Sequence, residues 1–257
     1  MSKPILVANW KNYPSSLIEV KTLVKGLSAK KILYKKTHLF VAPPLPYFDF
    51  VSEKIRNYAH LASQDISLTT GTTTGAVTPE ILKSFGTKLT IIGHSERRAL
   101  GETSNEVSRK IKIALRAGIT PLVCVGELTR DEDGDYFEFL REEIELSLEG
   151  LPPKAFKSSG IAIAYEPVWA IGKDASYAIE PVDLSETVVF IRKILSRMFG
   201  RSVAGNIPIL YGGSVEPENA HTLLSKTGVK GLLVGHASLN AKNFCKIAEA
   251  LIKNKIT

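Results

Sequence analysis

A few positions in this 257-residue chain carry side chains suited to chemistry rather than packing. Glu166 closes an apolar run, Gly160 to Tyr165, and precedes Pro167. A carboxylate there is partly desolvated, which makes it a stronger general base, although a glutamate that only ion-pairs at a strand end would look the same. His94 follows Ile91-Ile92-Gly93 and opens the next helix. A helix N-terminus disfavours positive charge, so this imidazole reads as a neutral hydrogen-bond donor, or otherwise as a satisfied core histidine. Asn9 and Lys11 are two residues apart and so share one side of an extended segment. A lysine aimed into a pocket needs an anion there, unless it snorkels to the rim. Gly212-Gly213-Ser214 and Gly235-His236 offer backbone N–H groups that can cradle a dianion, although glycine pairs also mark ordinary turns. Pro167 to Ser176 reads as a lid: a stiff proline, exposed apolar groups (Val168, Trp169, Ile171) and Gly172. Closure would bury those groups and exclude water. The plainer reading has Trp169 packing on a neighbouring loop.

Eight short apolar runs must position these residues: Ile5–Trp10, His38–Ala42, His60–Gln64, Leu89–Gly93, Thr120–Val125, Gly160–Glu166, Ile207–Tyr211 and Gly231–Val234. They are rich in Ile, Val and Leu without strict alternation, as expected of parallel strands buried on both faces. Stretches of helical period separate them, such as Leu184, Val188, Ile191 and Leu195, and Ala241 to Ile252 closes the chain in the same way. Eight strand–helix units predict an α/β fold, a closed (β/α)8 barrel spanning residues 1–257 as one domain. Such barrels keep their chemistry at the C-terminal ends of the strands, where these residues fall.

Composition is that of an ordinary globular protein: 44% hydrophobic, 23% charged, net charge +7. The basic residues are scattered along the chain, densest at Lys30-Lys31 with Lys35-Lys36, and read as solvated surface charge. This predicts no nucleic-acid partner. No apolar run is long enough to span a bilayer and no leader pattern is present, which predicts no membrane partner and a cytoplasmic location. Cys124 and Cys245 form no framework and read as buried thiols. No motif suggests a metal or organic cofactor.

Taken together, Asn-Trp-Lys at 9–11, Gly-His-Ser-Glu-Arg-Arg at 93–98, Tyr-Glu-Pro-Val-Trp-Ala-Ile-Gly at 165–172, Tyr-Gly-Gly-Ser-Val at 211–215 and Leu-Val-Gly at 233–235 resemble the triosephosphate isomerase family, in its order and over essentially the whole chain. The resemblance implies a TIM barrel that interconverts glyceraldehyde 3-phosphate and dihydroxyacetone phosphate through an enediolate, in glycolysis and gluconeogenesis, without a cofactor. It implies that Glu166 moves the proton and that His94, neutral in this family, polarises the carbonyl. It further implies that Lys11 and Asn9 stabilise negative charge, that Glu96 supports the site, and that Gly172, Ser214 and Gly235 bind phosphate. It implies a homodimer through the loop around Gly71–Ala76, which inserts beside Lys11 of the partner.

Three departures from the family pattern stand out. His236 occupies the place of a second phosphate-loop glycine, so its own N–H would have to serve, which predicts weaker phosphate binding. Gly-Lys-Asp-Ala-Ser at 172–176 replaces the usual lid continuation, and a glutamate usual near Ala76 is absent. Two other readings compete: a different phosphate-binding barrel enzyme with a carboxylate base, and a barrel kept as an interaction module. The second is disfavoured because base, electrophile and anion site are all present.

Overall fold

Residues that begin or just precede a strand bond sideways toward the neighbouring strand, and this stitches the runs into a ring. His38 donates to Pro4 O (2.8 Å), Lys88 to Leu61 O (2.9 Å), Thr120 to Lys88 O (2.9 Å) and Lys230 to Ile209 O (2.7 Å). The computed structural model describes residues 3–69, 72–131, 133–158, 160–172 and 177–253. It contains eight strands: β1 Ile5–Asn9, β2 His38–Ala42, β3 His60–Ser63, β4 Leu89–Ile92, β5 Thr120–Val125, β6 Ala162–Tyr165, β7 Ile209–Tyr211 and β8 Gly231–Val234. All pair in parallel in sequence order, and β1 also pairs with β8, with Ile5 opposite both His38 and Gly231. The expected (β/α)8 barrel is the observed one.

Several strands are shorter than their apolar runs. Before β7, the Ile207 N–H is spent on Ala204 O and Pro208 has no N–H to give, so pairing waits for Ile209. Alternation then sorts the side chains. Val7, Ala62, Leu122, Cys124, Ala162, Ala164, Leu210 and Leu233 fill the barrel interior. Their neighbours Leu6, Val123, Val125, Ile163 and Tyr165 point outward into the larger core beneath the helices.

The helical coat begins with α1 Leu17–Ser28, α2 Lys31–Tyr34, α3 Phe48–Ile55, α4 Pro79–Ser84, α5 Ser95–Ala99 and α6 Ser104–Ala117. It continues with α7 Asp135–Ser147, α8 Ala155–Ser158, α9 Pro181–Phe199, α10 Arg201–Asn206, α11 Ala220–Lys226 and α12 Ala241–Lys253. The α6 helix shows how local sequence fixes an element. Thr103 and Glu106 form a reciprocal capping box at its start, and Gly118 adopts the left-handed region (φ 71°) at its end. No helix among the described residues is long and apolar enough to cross a membrane.

Candidate active site

Strand parity delivers the first functional side chains. Val7, Ala164, Leu210 and Leu233 face the barrel interior, so the residues two further on, Asn9, Glu166, Gly212 and Gly235, continue inward at the C-terminal mouth. There they line a cavity of about 510 Å³ together with Lys11, His94, Glu96, Ile171, Gly172, Ser214, Glu216 and His236. Every site residue expected from the sequence lies in this one cavity.

Lys11 arrives by a different route from the one expected. The strand ends at Asn9, and Lys11 sits in the left-handed region, with φ 52°. That conformation is strained for a residue with a side chain, so the surroundings must hold it. The Lys11 N–H donates to Asn9 Oδ1 (3.0 Å), and Gln64 Nε2 donates to the carbonyls of Lys11 (2.7 Å) and Ala42 (2.9 Å). The turn directs Lys11 Nζ to 2.6 Å from Glu96 Oε1. A Cβ placed on Gly235 would lie 3.6 Å from Lys11 Cε, so the ammonium stem runs along the glycine cradle.

His94 caps the N-terminus of α5. Its Nδ1 accepts the backbone N–H of Glu96 (3.2 Å), and an accepting Nδ1 carries no proton. The remaining ring nitrogen, Nε2, lies 3.3 Å from Glu166 Oε1. Glu166 is only 2% exposed. Its other oxygen, Oε2, accepts from the Ser95 N–H (3.3 Å), so the same short helix terminus presents the imidazole and steadies the carboxylate. Cys124 packs beneath it, and burial first, then the Glu166 carboxylate, push that thiol well up.

Two glycines make room for Glu166. A Cβ on Gly212 would come within 2.9 Å of Glu166 Cγ, and one on Gly126 within 1.9 Å of the Glu166 carbonyl oxygen. The Gly126 N–H donates to Glu143 Oε2 (2.8 Å), and Glu143 pairs with Arg98 (3.2 Å), which also grips Gly93 O (2.9 Å). Burial pushes the Glu143 carboxyl up and Arg98 opposes that.

Around the glycine cradle, Ser214 Oγ donates to Ala170 O (2.7 Å) and ties the loop after β7 to the segment after Glu166. Asn219 braces the same loop, donating to Ser214 O (3.0 Å) and accepting from the Glu216 N–H (2.9 Å). His236 is exposed and begins a short 3-10 turn, His236–Leu239. Burial pushes the Glu216 carboxyl up, and His236 beside it pulls partly back.

The expected lid is described only to Gly172, with φ 73°; residues 173–176, and with them the altered hinge, lie outside the described residues, as does Gly71 of the expected interface loop. Val168, Trp169 and Ile171 are half-buried rather than exposed. Sequence reasoning missed the reason for Trp169. Its indole N–H donates to Glu127 Oε1 (2.9 Å), which also accepts the Tyr165 hydroxyl (2.8 Å). Glu127 is 1% exposed and stands two residues past β5, so the rule that found Glu166 could have found it. Gln64 and Cys124 were also missed, and nothing about them stands out in the sequence.

Comparison with known proteins agrees with this arrangement. The family model described as triosephosphate isomerase matches residues 4–251. The triosephosphate isomerase of Citrifermentans bemidjiense is 38% identical over 256 residues, covering 96% of this chain and 98% of the relative. That of Trichlorobacter lovleyi is 39% identical over 253 residues, covering 96% and 98%. That of Dictyostelium discoideum is 36% identical over 247 residues, covering 95% and 94%.

Proposed function

The chain belongs to the triosephosphate isomerase family, and from that premise we propose how its own residues perform the reaction. The reaction is the interconversion of glyceraldehyde 3-phosphate and dihydroxyacetone phosphate, an intramolecular aldose–ketose isomerisation in glycolysis and gluconeogenesis. Glu166 takes the proton from one of the two adjacent carbons and returns it to the other. Its burial means that no water shell has to be stripped away first. His94 Nε2–H hydrogen-bonds the substrate oxygens and relays the proton between them. A neutral imidazole suits this role because it can both give and retake a proton.

Lys11, with Asn9 holding its turn, supplies fixed positive charge for the enediolate. Glu96, bound to Lys11, fixes that ammonium. The phosphate is held at Gly172, Ser214, Gly235 and His236. The lid that starts at Pro167 excludes water from the intermediate. The observation that carries this assignment is the 3.3 Å approach of His94 Nε2 to Glu166 in one cavity with Lys11 and the glycine cradle.

The test is the isomerisation rate of the purified protein beside Glu166→Gln. The wild type turns over, and the variant loses about a thousandfold or more in kcat with KM little changed. A variant within tenfold of wild type would remove Glu166 as the base. Tight binding of 2-phosphoglycolate, an enediolate mimic, separates an isomerase from a barrel that only docks phosphate.

The protein works in the cytoplasm as one barrel domain, and as a homodimer through the loop around Gly71–Ala76. Leu45 (42% exposed) and Leu100 (79%) support a dimer, since these large apolar groups left in water line one cleft with Thr73, Gly75 and Ala76 of that loop. Sedimentation equilibrium at twice the chain mass is the expected result.

A further inference from the structure

The fold gathers charge that is scattered in sequence. In the segments that lead into each strand, the stretch before β1 included and α2, α8 and α10 counted inside them, stand eleven Lys and Arg against one acid, Glu149. The links that lead out of the strands, with α5 counted inside them, hold five against twelve. Helix dipoles alone do not explain this. They favour cations in last turns, but Lys3, Lys88 and Lys230 stand just before strands, which have little dipole.

Strand register fixes the arrangement. Lys230, Lys3, Lys36, His60 and Lys88 precede or begin β8, β1, β2, β3 and β4, five adjacent strands of the ring. At one strand spacing each, they span roughly 20 Å along the rim of the N-terminal mouth. All five are exposed, and among the described residues none has a carboxylate partner. Burial first, and then Lys88, hold His60 below the ordinary imidazole value. Two acids on the flanking helices do not change this. Glu53 is paired to Lys54, and Glu249 lies beside Tyr34 and Cys245.

Beside this rim, Ile32 is 73% exposed on α2, within Lys30-Lys31-Ile32-Leu33-Tyr34-Lys35-Lys36. An aliphatic side chain ringed by lysines has nothing to contact on a phosphodiester backbone. It fits the boundary between headgroups and acyl chains of a bilayer, where lysine stems lie along apolar surface while their ammonium groups meet anionic lipid. We infer that the N-terminal mouth of the barrel, with Ile32 as its apolar contact, docks on an anionic lipid surface. This leaves the C-terminal mouth, with its substrate cavity, facing away from the bilayer. The sequence alone led to the expectation of no membrane partner, because it could not show that these lysines share a face.

The test is cosedimentation of the intact protein with phosphatidylcholine vesicles and with vesicles that also contain phosphatidylserine, near 0.1 M salt. Binding is expected only to the anionic vesicles and is lost near 1 M salt, where screening is nearly complete. The double variant Lys35→Glu/Lys36→Glu lowers the affinity by about tenfold or more. Ile32→Ser lowers it several-fold. Unchanged isomerisation rates show that both variants are folded. Absence of binding to anionic vesicles overturns the inference. So does an Ile32→Ser variant that binds as well as wild type while the protein retains duplex DNA equally tightly, since that marks a general polyanion surface.

Discussion

At the C-terminal mouth, Asn9, His94 and Glu166 are nearly buried and each meets at least one named partner; at the N-terminal mouth, Lys3, Lys36, Lys88 and Lys230 stand in water with no carboxylate partner among the described residues. The strands are the same. What differs is where the chain goes next. A residue leaving a strand can keep the inward parity of the barrel and be covered by a long loop, as Glu166 is covered by the segment after Pro167. A residue entering a strand arrives from the helix layer through a short link and remains on the rim. Burial without partners is costly, so the covered mouth is built from interlocked groups. Nothing comparable constrains the open rim, which is free to carry unbalanced charge. One mouth is therefore specified by geometry and the other by charge.

Substitutions at the two ends can break or sharpen that contrast. Beyond the loss of Glu166, the largest effect is expected at His94. His94→Gln lowers kcat by about a hundredfold or more, whereas Lys88→Gln at the opposite rim leaves steady-state kinetics within about twofold. Comparable losses from both would dissolve the distinction.

Next come two glycines with the same steric problem at opposite ends. A Cβ on Gly231 would sit 2.1 Å from the Ile5 carbonyl oxygen, and one on Gly126 would sit 1.9 Å from that of Glu166. Each Gly→Ala change destabilises by about 3 kcal/mol in denaturant titrations. Only Gly126→Ala also lowers the kcat of the folded fraction, because it displaces the base. A Gly231→Ala protein with slower chemistry would show that the two mouths are mechanically coupled.

A smaller effect is expected at the cap of α6. Thr103→Ala removes the hydroxyl that accepts the Glu106 N–H (3.3 Å), and costs about 1 kcal/mol in thermal unfolding without altering kcat.

The smallest expected effect is electrostatic and lies inside the geometric mouth. Glu216 lines the cavity near the cradle, and its negative charge opposes a phosphate dianion. Glu216→Gln lowers substrate KM by about twofold, and His236→Gly, which restores the second glycine of the phosphate loop, lowers it by a similar factor. An unchanged KM in His236→Gly means that the ring takes no part in binding.

Much of the active site was legible because parallel strands leave strong marks. Apolar runs located the eight strands, and counting past their ends found Glu166, His94 and the glycine cradle. Prolines and helix ends shortened the strands in ways that periodicity does not record. Lys11 was found for a reason the structure corrects, since a left-handed turn, clamped by Asn9 and Gln64, replaces the expected strand alternation. Gln64 was invisible because a lone amide after a strand has no signature until its two carbonyl partners are known. Trp169 was open to two readings, an exposed lid residue or one packed on a neighbouring loop, and the structure favours the second through Glu127, 42 positions away.

The sequence by itself determined the strand–helix alternation, the family, and the residue types waiting at each strand end, because these depend on local order along the chain. The tertiary structure decided the 3.3 Å approach of His94 to Glu166. It also decided the route of Lys11 to the glycine cradle and the gathering of scattered lysines on one rim. Those are relations between strands far apart in sequence, and only closure of the barrel brings them within reach of a hydrogen bond or a shared field.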